Sequence, residues 1–110
     1  MSYVDGFVIP VPTANKEAFI EQARERDAAF RRFGALRVVE CWGDDVPVGK
    51  LTDFHRAVQA TADETVALSW VEWPDKATRD AGFAQLVQFM SEDPHFKDLP
   101  ATFDGKRMIF

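Results

Sequence analysis

The nine residues from Thr65 to Trp73, TVALSWVEW, constrain this chain more than any other segment. β-Branched and aromatic side chains favour a pleated strand here, and Pro74 stops it. Successive strand side chains point to opposite faces, so Leu68 and Val71 lie on different sides of the sheet. Val38 and Val39, in the segment Ala35 to Trp42, repeat this pattern. Strands that are apolar on both faces belong to sheets covered on both faces. The rest of the chain must supply that cover, or a second copy must.

The remaining elements are set by spacing and caps. Tyr3 to Val11 reads as a strand ending at Pro12, and Thr13 or Asn15 can cap the helix after it. Lys16 to Phe33 places Phe19, Ala23, Phe30 and Phe33 close to helical spacing. In that helix Glu21 can meet Arg24, and Asp27 can meet Arg31, on the exposed face. Gly34 sits where a helix commonly ends. Leu51 to Gln59 alternates apolar and polar residues and predicts an added strand, joined to the previous one by an acidic turn. Asp75 caps a second helix from Lys76 to about Ser91, with Ala77, Ala81, Ala84, Val87 and Met90 as its apolar positions and Gly82 weakening it slightly. Asp93-Pro94 opens a short helical turn through Leu99. Phe103 to Lys106 is a turn, and Lys106 to Phe110 a last strand.

The expected fold class is therefore α+β: a ferredoxin-like βαββαβ sandwich with an added strand, forming one domain over residues 1–110. Two helices cover only one face of such a sheet. A homodimer packed sheet to sheet covers the other.

Composition narrows the function classes. A formal net charge of −5, with basic residues dispersed among acidic ones, disfavours nucleic-acid binding. No apolar run approaches the roughly 20 residues of a membrane-spanning helix, and the start MSYVDGFV lacks the basic and apolar regions of a signal peptide. The single cysteine, Cys41, fits a reducing compartment. These features predict a cytoplasmic protein. Ten Phe and three Trp supply a core with aromatic rings to spare for an interface or a cavity.

Four blocks in order, YVDGFV, RVVECWGDDVP, TVALSWVEWPDKATRDAG and FDGKRMI, resemble the YbaA-like family of small bacterial proteins of unknown function. The resemblance spans nearly the whole chain. It implies a dimeric α+β barrel, in which two ferredoxin-like sheets close around a shared core, and it brings no established catalytic residues. It also implies that family members continue past KRMI with a Gly-Gly-Phe-like tail.

The densest group of chemistry-bearing residues lies between Val38 and Val58. GDDVPVGK, Gly43 to Lys50, superficially resembles a phosphate-binding loop. It has five residues between its glycines instead of four, Leu51 in place of Ser or Thr, and two aspartates that repel phosphate. One Cys and two widely separated His make a poor ligand supply, so Asp44, Asp45 and Asp53 read as solvated acids and no metal site is expected. A catalytic Cys41 needs a base beside it, for which His55 is the candidate; a strand cysteine is more often a small buried residue. His95 reads as a surface or packing residue.

Glu40, Trp42, Trp70 and Glu72 form the more informative set. If their strand faces coincide, two carboxyls and two indoles share one interior, where burial raises carboxyl pKa values. The opposing reading is an ion pair with Arg37, Arg56 or Arg107 across a dimer. The candidate catalytic residues are thus Glu40, His55 and Glu72, and the candidate substrate-binding residues Trp42 and Trp70, with no cofactor. Three functions stay open: a protein that binds or transforms a small organic molecule between sheet and helices, a structural or stress-related homodimer, and a cofactor-independent oxygenase. Fold analogy does not choose among them.

Overall fold

The computed structural model describes residues 2–110. Strand β1 spans Tyr3–Pro12, helix α1 Lys16–Arg32, β2 Arg37–Trp42, helix α2 Phe54–Ala57, β3 Glu64–Trp73, helix α3 Lys76–Glu92 and helix α4 Pro94–Lys97. A 3-10 turn, Thr13–Asn15, links β1 to α1. The sheet order is β1-β3-β2, with both pairings antiparallel. On the free side of β1, Val8 and Ile109 exchange two backbone hydrogen bonds of 3.0 Å. The C-terminal segment thereby takes the fourth position of the ferredoxin-like sheet, although it pairs only there.

That segment is shorter than a full strand because the backbone N–H of Arg107 is taken by a turn, donating to the Asp104 carbonyl at 3.2 Å. The Arg107 guanidinium grips both oxygens of Glu64 at 2.8 and 2.7 Å and donates to the Gln59 carbonyl at 2.8 Å. The Arg107 guanidinium in turn holds Glu64 down at a pKa of about 2. Pairing with β1 is left to Ile109.

The largest departure from the pattern of residues is the added strand. Leu51 to Gln59 contains a helical turn instead. Asp53 caps it, accepting from the Arg56 backbone N–H at 2.8 Å and from Gly49 N–H at 3.1 Å. The Arg56 guanidinium folds back onto the carbonyls of Gly49, Lys50 and Leu51. These local bonds satisfy backbone groups that a strand would have needed a neighbour to satisfy. Val58 then drops onto Val8 and Val66 and closes a small cluster on one face of the sheet.

The main core lies on the other face, under α1 and α3. Ile9, Val11, Phe19, Ala23 and Ala67 form one cluster, and Ala35, Val71 and Trp73 a second. Trp73 is fully buried, with Phe30 edge-on at 6.1 Å between ring centroids. Gly34, at φ 115°, ends α1 as expected, in a conformation that favours glycine. In α3 Gly82 and Leu86 are buried, Phe83 and Met90 are half-buried, and Val87 borders the same cavity but stays exposed at its rim. Apolar residues occur nearly all round this helix, so spacing could not select the buried face. Trp73 selects it: a Cβ on Gly82 would come within 2.7 Å of the indole ring and would also strike the Phe33 carbonyl.

Gly82 is therefore a packing requirement more than a weak point. Alanine there improves helix propensity by up to about 1 kcal/mol, but overpacking costs typically 1–3 kcal/mol. Gly82→Ala is expected to destabilise the fold by about 1 kcal/mol net, read as a lower urea midpoint. A midpoint at or above wild type would contradict this contact.

Candidate functional site

Helix α1 buries Phe19 and Ala23, and four residues further along the same stripe stands Asp27. It is only 9% exposed. The exposed pair expected of Asp27 and Arg31 is thus corrected, while Glu21 and Arg24 do meet at the surface, at 3.1 Å. Strand β2 places Glu40 opposite Ser69 of β3, on the helix-facing side. There the Glu40 and Asp27 carboxyls lie close enough to share a hydrogen bond when one of them is protonated.

Such a contact requires a proton. Burial pushes the Glu40 carboxyl up to about 8, and the hydrogen bond to Asp27 and its charge push the same way; the Arg26 guanidinium opposes them. Burial also raises Asp27, against the pull of Glu40, Arg26 and Arg31. Glu40 is itself exposed at the open edge of both hollows, and the surrounding protein replaces only part of its hydration. Two close carboxyls titrate as a unit. With its pKa raised to about 8, Glu40 keeps its proton near neutral pH and can donate it to the Asp27 carboxyl.

Two hollows meet at the dyad. One, of about 240 Å³, lies between the helices and the sheet, walled by Phe7, Phe30, Phe83, Phe103, Met90 and Met108 among others. The second, of about 330 Å³, lies between α1 and β2 and includes Trp42 and Cys41. Arg26 also borders the inner cavity, its guanidinium 5.9 Å from the Phe19 ring centre and 5.8 Å from that of Phe103. Burial lowers its pKa, and Glu40, Asp27 and Glu25 oppose the shift. Arginine nevertheless remains a cation at ordinary pH.

The other residues singled out in the sequence are distributed differently. Trp42 shares the face of Glu40 and packs on Phe19 at 6.0 Å, with Lys16 Nζ 5.5 Å above its ring. Trp70 and Glu72 face the opposite side: the register pairs Trp70 with Val39 and Glu72 with Arg37. The Trp70 indole N–H donates to Glu72 at 3.0 Å, and Arg37 lies 3.7 Å from the same carboxylate, within one chain. The four residues Glu40, Trp42, Trp70 and Glu72 therefore do not share one interior.

His55 sits on α2, at the end of the capped loop that covers that opposite face. Cys41 is exposed there, opposite Leu68. His95 contacts Glu25 at 2.5 Å on the surface. Among the described residues, no group of three or more His, Cys, Asp or Glu could hold a metal ion. No helix among them is long and apolar enough to cross a membrane.

Asp27 was hidden in the sequence because its spacing from Arg31 suits a surface ion pair. The available signal was its position eight residues after Phe19 and four after Ala23, on the buried stripe. An acid there needs a partner, and Glu40 is that partner.

Comparison with known proteins agrees with the fold. A crystal structure of a dimeric ferredoxin-like protein from an uncultured marine organism superposes with a TM-score of 0.61 at 14% identity, covering 99% of this chain and 91% of that one. The uncharacterised protein YbaA of Escherichia coli K12 is 50% identical over 112 residues, spanning 100% of this chain and 92% of YbaA. YbaA of Shigella flexneri matches equally well. The family model described as protein of unknown function (DUF1428) matches residues 2–105, and the chain belongs to that family.

Proposed function

We propose that this protein binds a small, mostly apolar organic molecule in the cavity between sheet and helices, with Glu40 as its polar handle. The observation that carries this reading is a carboxyl dyad placed among phenylalanine and methionine side chains. An acid pair held in such surroundings needs a reason beyond packing, since apolar residues of similar volume are often at least as stable. Concave apolar walls with a few convergent polar groups are the usual form of a small-molecule site. The reading invokes no cofactor. It keeps Trp42, at the outer hollow, as a further contact.

The protein is also proposed to act as a homodimer in the cytoplasm. Val4 is 49% exposed, and Val39 and Trp70 are only half-covered on the sheet face away from α1 and α3. The structural relative of the same fold is described as dimeric. The single, exposed Cys41 suits a reducing compartment.

Native mass spectrometry tests both parts. The expected species is a dimer that retains a small molecule or takes up a single-ring aromatic probe. Glu40→Gln should weaken probe binding about tenfold, the loss of roughly one hydrogen bond to a charged or acidic group. His55→Ala and Glu72→Gln, altered on the other face, should leave it within about twofold, as expected of sites without a shared contact. A monomer at micromolar concentration overturns the dimer. A dimer with no bound molecule and no uptake of aromatic probes favours a structural role.

A further inference from the structure

Asp27 combines three properties that packing does not explain. It is nine-tenths buried, it borders the apolar cavity, and Glu40 is its hydrogen-bond partner in place of any N–H donor. Arg26, the next residue along α1, borders the same cavity, and among the described residues it forms no ion pair. A guanidinium with no carboxylate in ion-pair contact suits a carboxylate on a ligand. Four Phe rings suit an aromatic group. The volume, about 240 Å³, falls below the roughly 300–1,000 Å³ of drug-sized sites and suits a single-ring molecule.

We propose that Asp27 and Glu40, with Arg26, catalyse the keto–enol tautomerisation of small aromatic 2-oxo acids. Arg26 holds the substrate carboxylate while the ring lies among the phenylalanines. In the direction of enol formation, the Asp27 carboxylate removes a proton from C3. The C3–H electron pair becomes the C2=C3 bond. The carbonyl π pair moves to oxygen, which takes the proton of the Glu40 carboxyl. The proton gained by Asp27 then returns to Glu40 along their hydrogen bond, and the dyad is restored. Proton number and oxidation level are unchanged, so no oxidant, reductant or second substrate is required. An acid and a base placed together in this way typically contribute about 10²–10⁴-fold each.

This inference rests on the binding role proposed above, and two measurements separate their failures. Ketonisation of freshly dissolved phenylpyruvate enol is followed by loss of its ultraviolet absorbance with the full chain present. Binding of 3-phenylpropanoate, which has the ring and carboxylate but no ketone, is followed by calorimetry. The expected result is saturable acceleration over buffer. Glu40→Gln and Asp27→Asn should each lower kcat by about 100-fold or more, with circular dichroism confirming that the variants fold. Arg26→Met should raise KM about tenfold and weaken 3-phenylpropanoate binding equally, the loss expected for one charge-assisted contact.

Binding of 3-phenylpropanoate without accelerated ketonisation overturns the tautomerase and leaves the binding role standing. Acceleration that survives both Glu40→Gln and Asp27→Asn also overturns it. Failure to bind either this probe or neutral single-ring aromatics overturns both readings.

Discussion

Replacing Trp73 with alanine is expected to lower the unfolding free energy by about 3–5 kcal/mol, the usual range for deleting a buried aromatic ring. Trp73 is fully buried at the end of β3 and meets elements distant in sequence. Phe30 of α1 packs edge-on to it, Gly82 of α3 lies against its ring, and Ala35 and Val71 complete the cluster. Its indole N–H donates to Asp5 at 3.0 Å, and Arg79 holds the same carboxylate in a forked contact at 2.9–3.2 Å. Alanine would leave a cavity that neither the sheet nor two anchored helices could fill. For a domain with a typical stability of about 5–15 kcal/mol, this is a large fraction of the total.

Trp73→Phe should cost less, about 1–2 kcal/mol, because ring volume is largely kept and Arg79 still satisfies Asp5. Urea denaturation followed by circular dichroism measures both. Equal midpoints for the two variants would mean that ring volume does not govern this site.

The second large effect is electrostatic and depends on pH. Glu40→Gln is expected to stabilise the protein by about 2 kcal/mol at pH 8–9 and to have little effect near pH 4. An unfolded glutamate titrates near its ordinary value of about 4.3, whereas folded Glu40 titrates at about 8. Between those values the folded chain keeps a proton that the unfolded chain releases. Stability therefore falls as pH rises through this window and levels off above it. Glutamine has no proton to lose, so the variant lacks that decline. The whole shift would correspond to more than about 4 kcal/mol at roughly 1.36 kcal/mol per unit; Glu40 is exposed to solvent, and the screening this brings gives the smaller figure. Urea midpoints of both proteins from pH 4 to pH 9 provide the check. A difference that stays constant with pH would remove the protonated dyad from the account.

Much of the architecture was readable because local signals agreed with one another. TVALSWVEW ending at Pro74, the cap at Asp75, the stop at Gly34 and the cap-and-proline at Asp93-Pro94 all mark elements found in the fold. Apolar residues on both strand faces pointed to cover on both, and the second face is covered only in part within the chain. That part is supplied by Val46, Val58 and Ala60 from the loop that was expected to be a strand. Alternation failed at Leu51 to Gln59 because the Asp53 cap and the Arg56 guanidinium satisfy the backbone locally, and no pattern of apolar residues reports that competition.

The candidate site was half legible. Glu40 stood out as a carboxyl beside Trp42 on a strand, but its partner lies on another element. Trp70 and Glu72 were natural companions by composition, and strand parity sends them to the other face. Parity within one strand is a property of the backbone and can be read from residue order. Parity between strands depends on register, and register is set by pairing across the sheet.

The residues in order were sufficient to specify the βαββαβ plan, the element ends and the need for an apolar cover on each side of the sheet. These come from short-range geometry: side-chain alternation, helical spacing, caps and proline. Tertiary packing alone decided that Asp27 turns inward to share a proton with Glu40, that Gly82 faces Trp73, and that Arg26 borders the same apolar cavity. Each depends on distances between residues far apart in the chain, and burial and charge act through those distances.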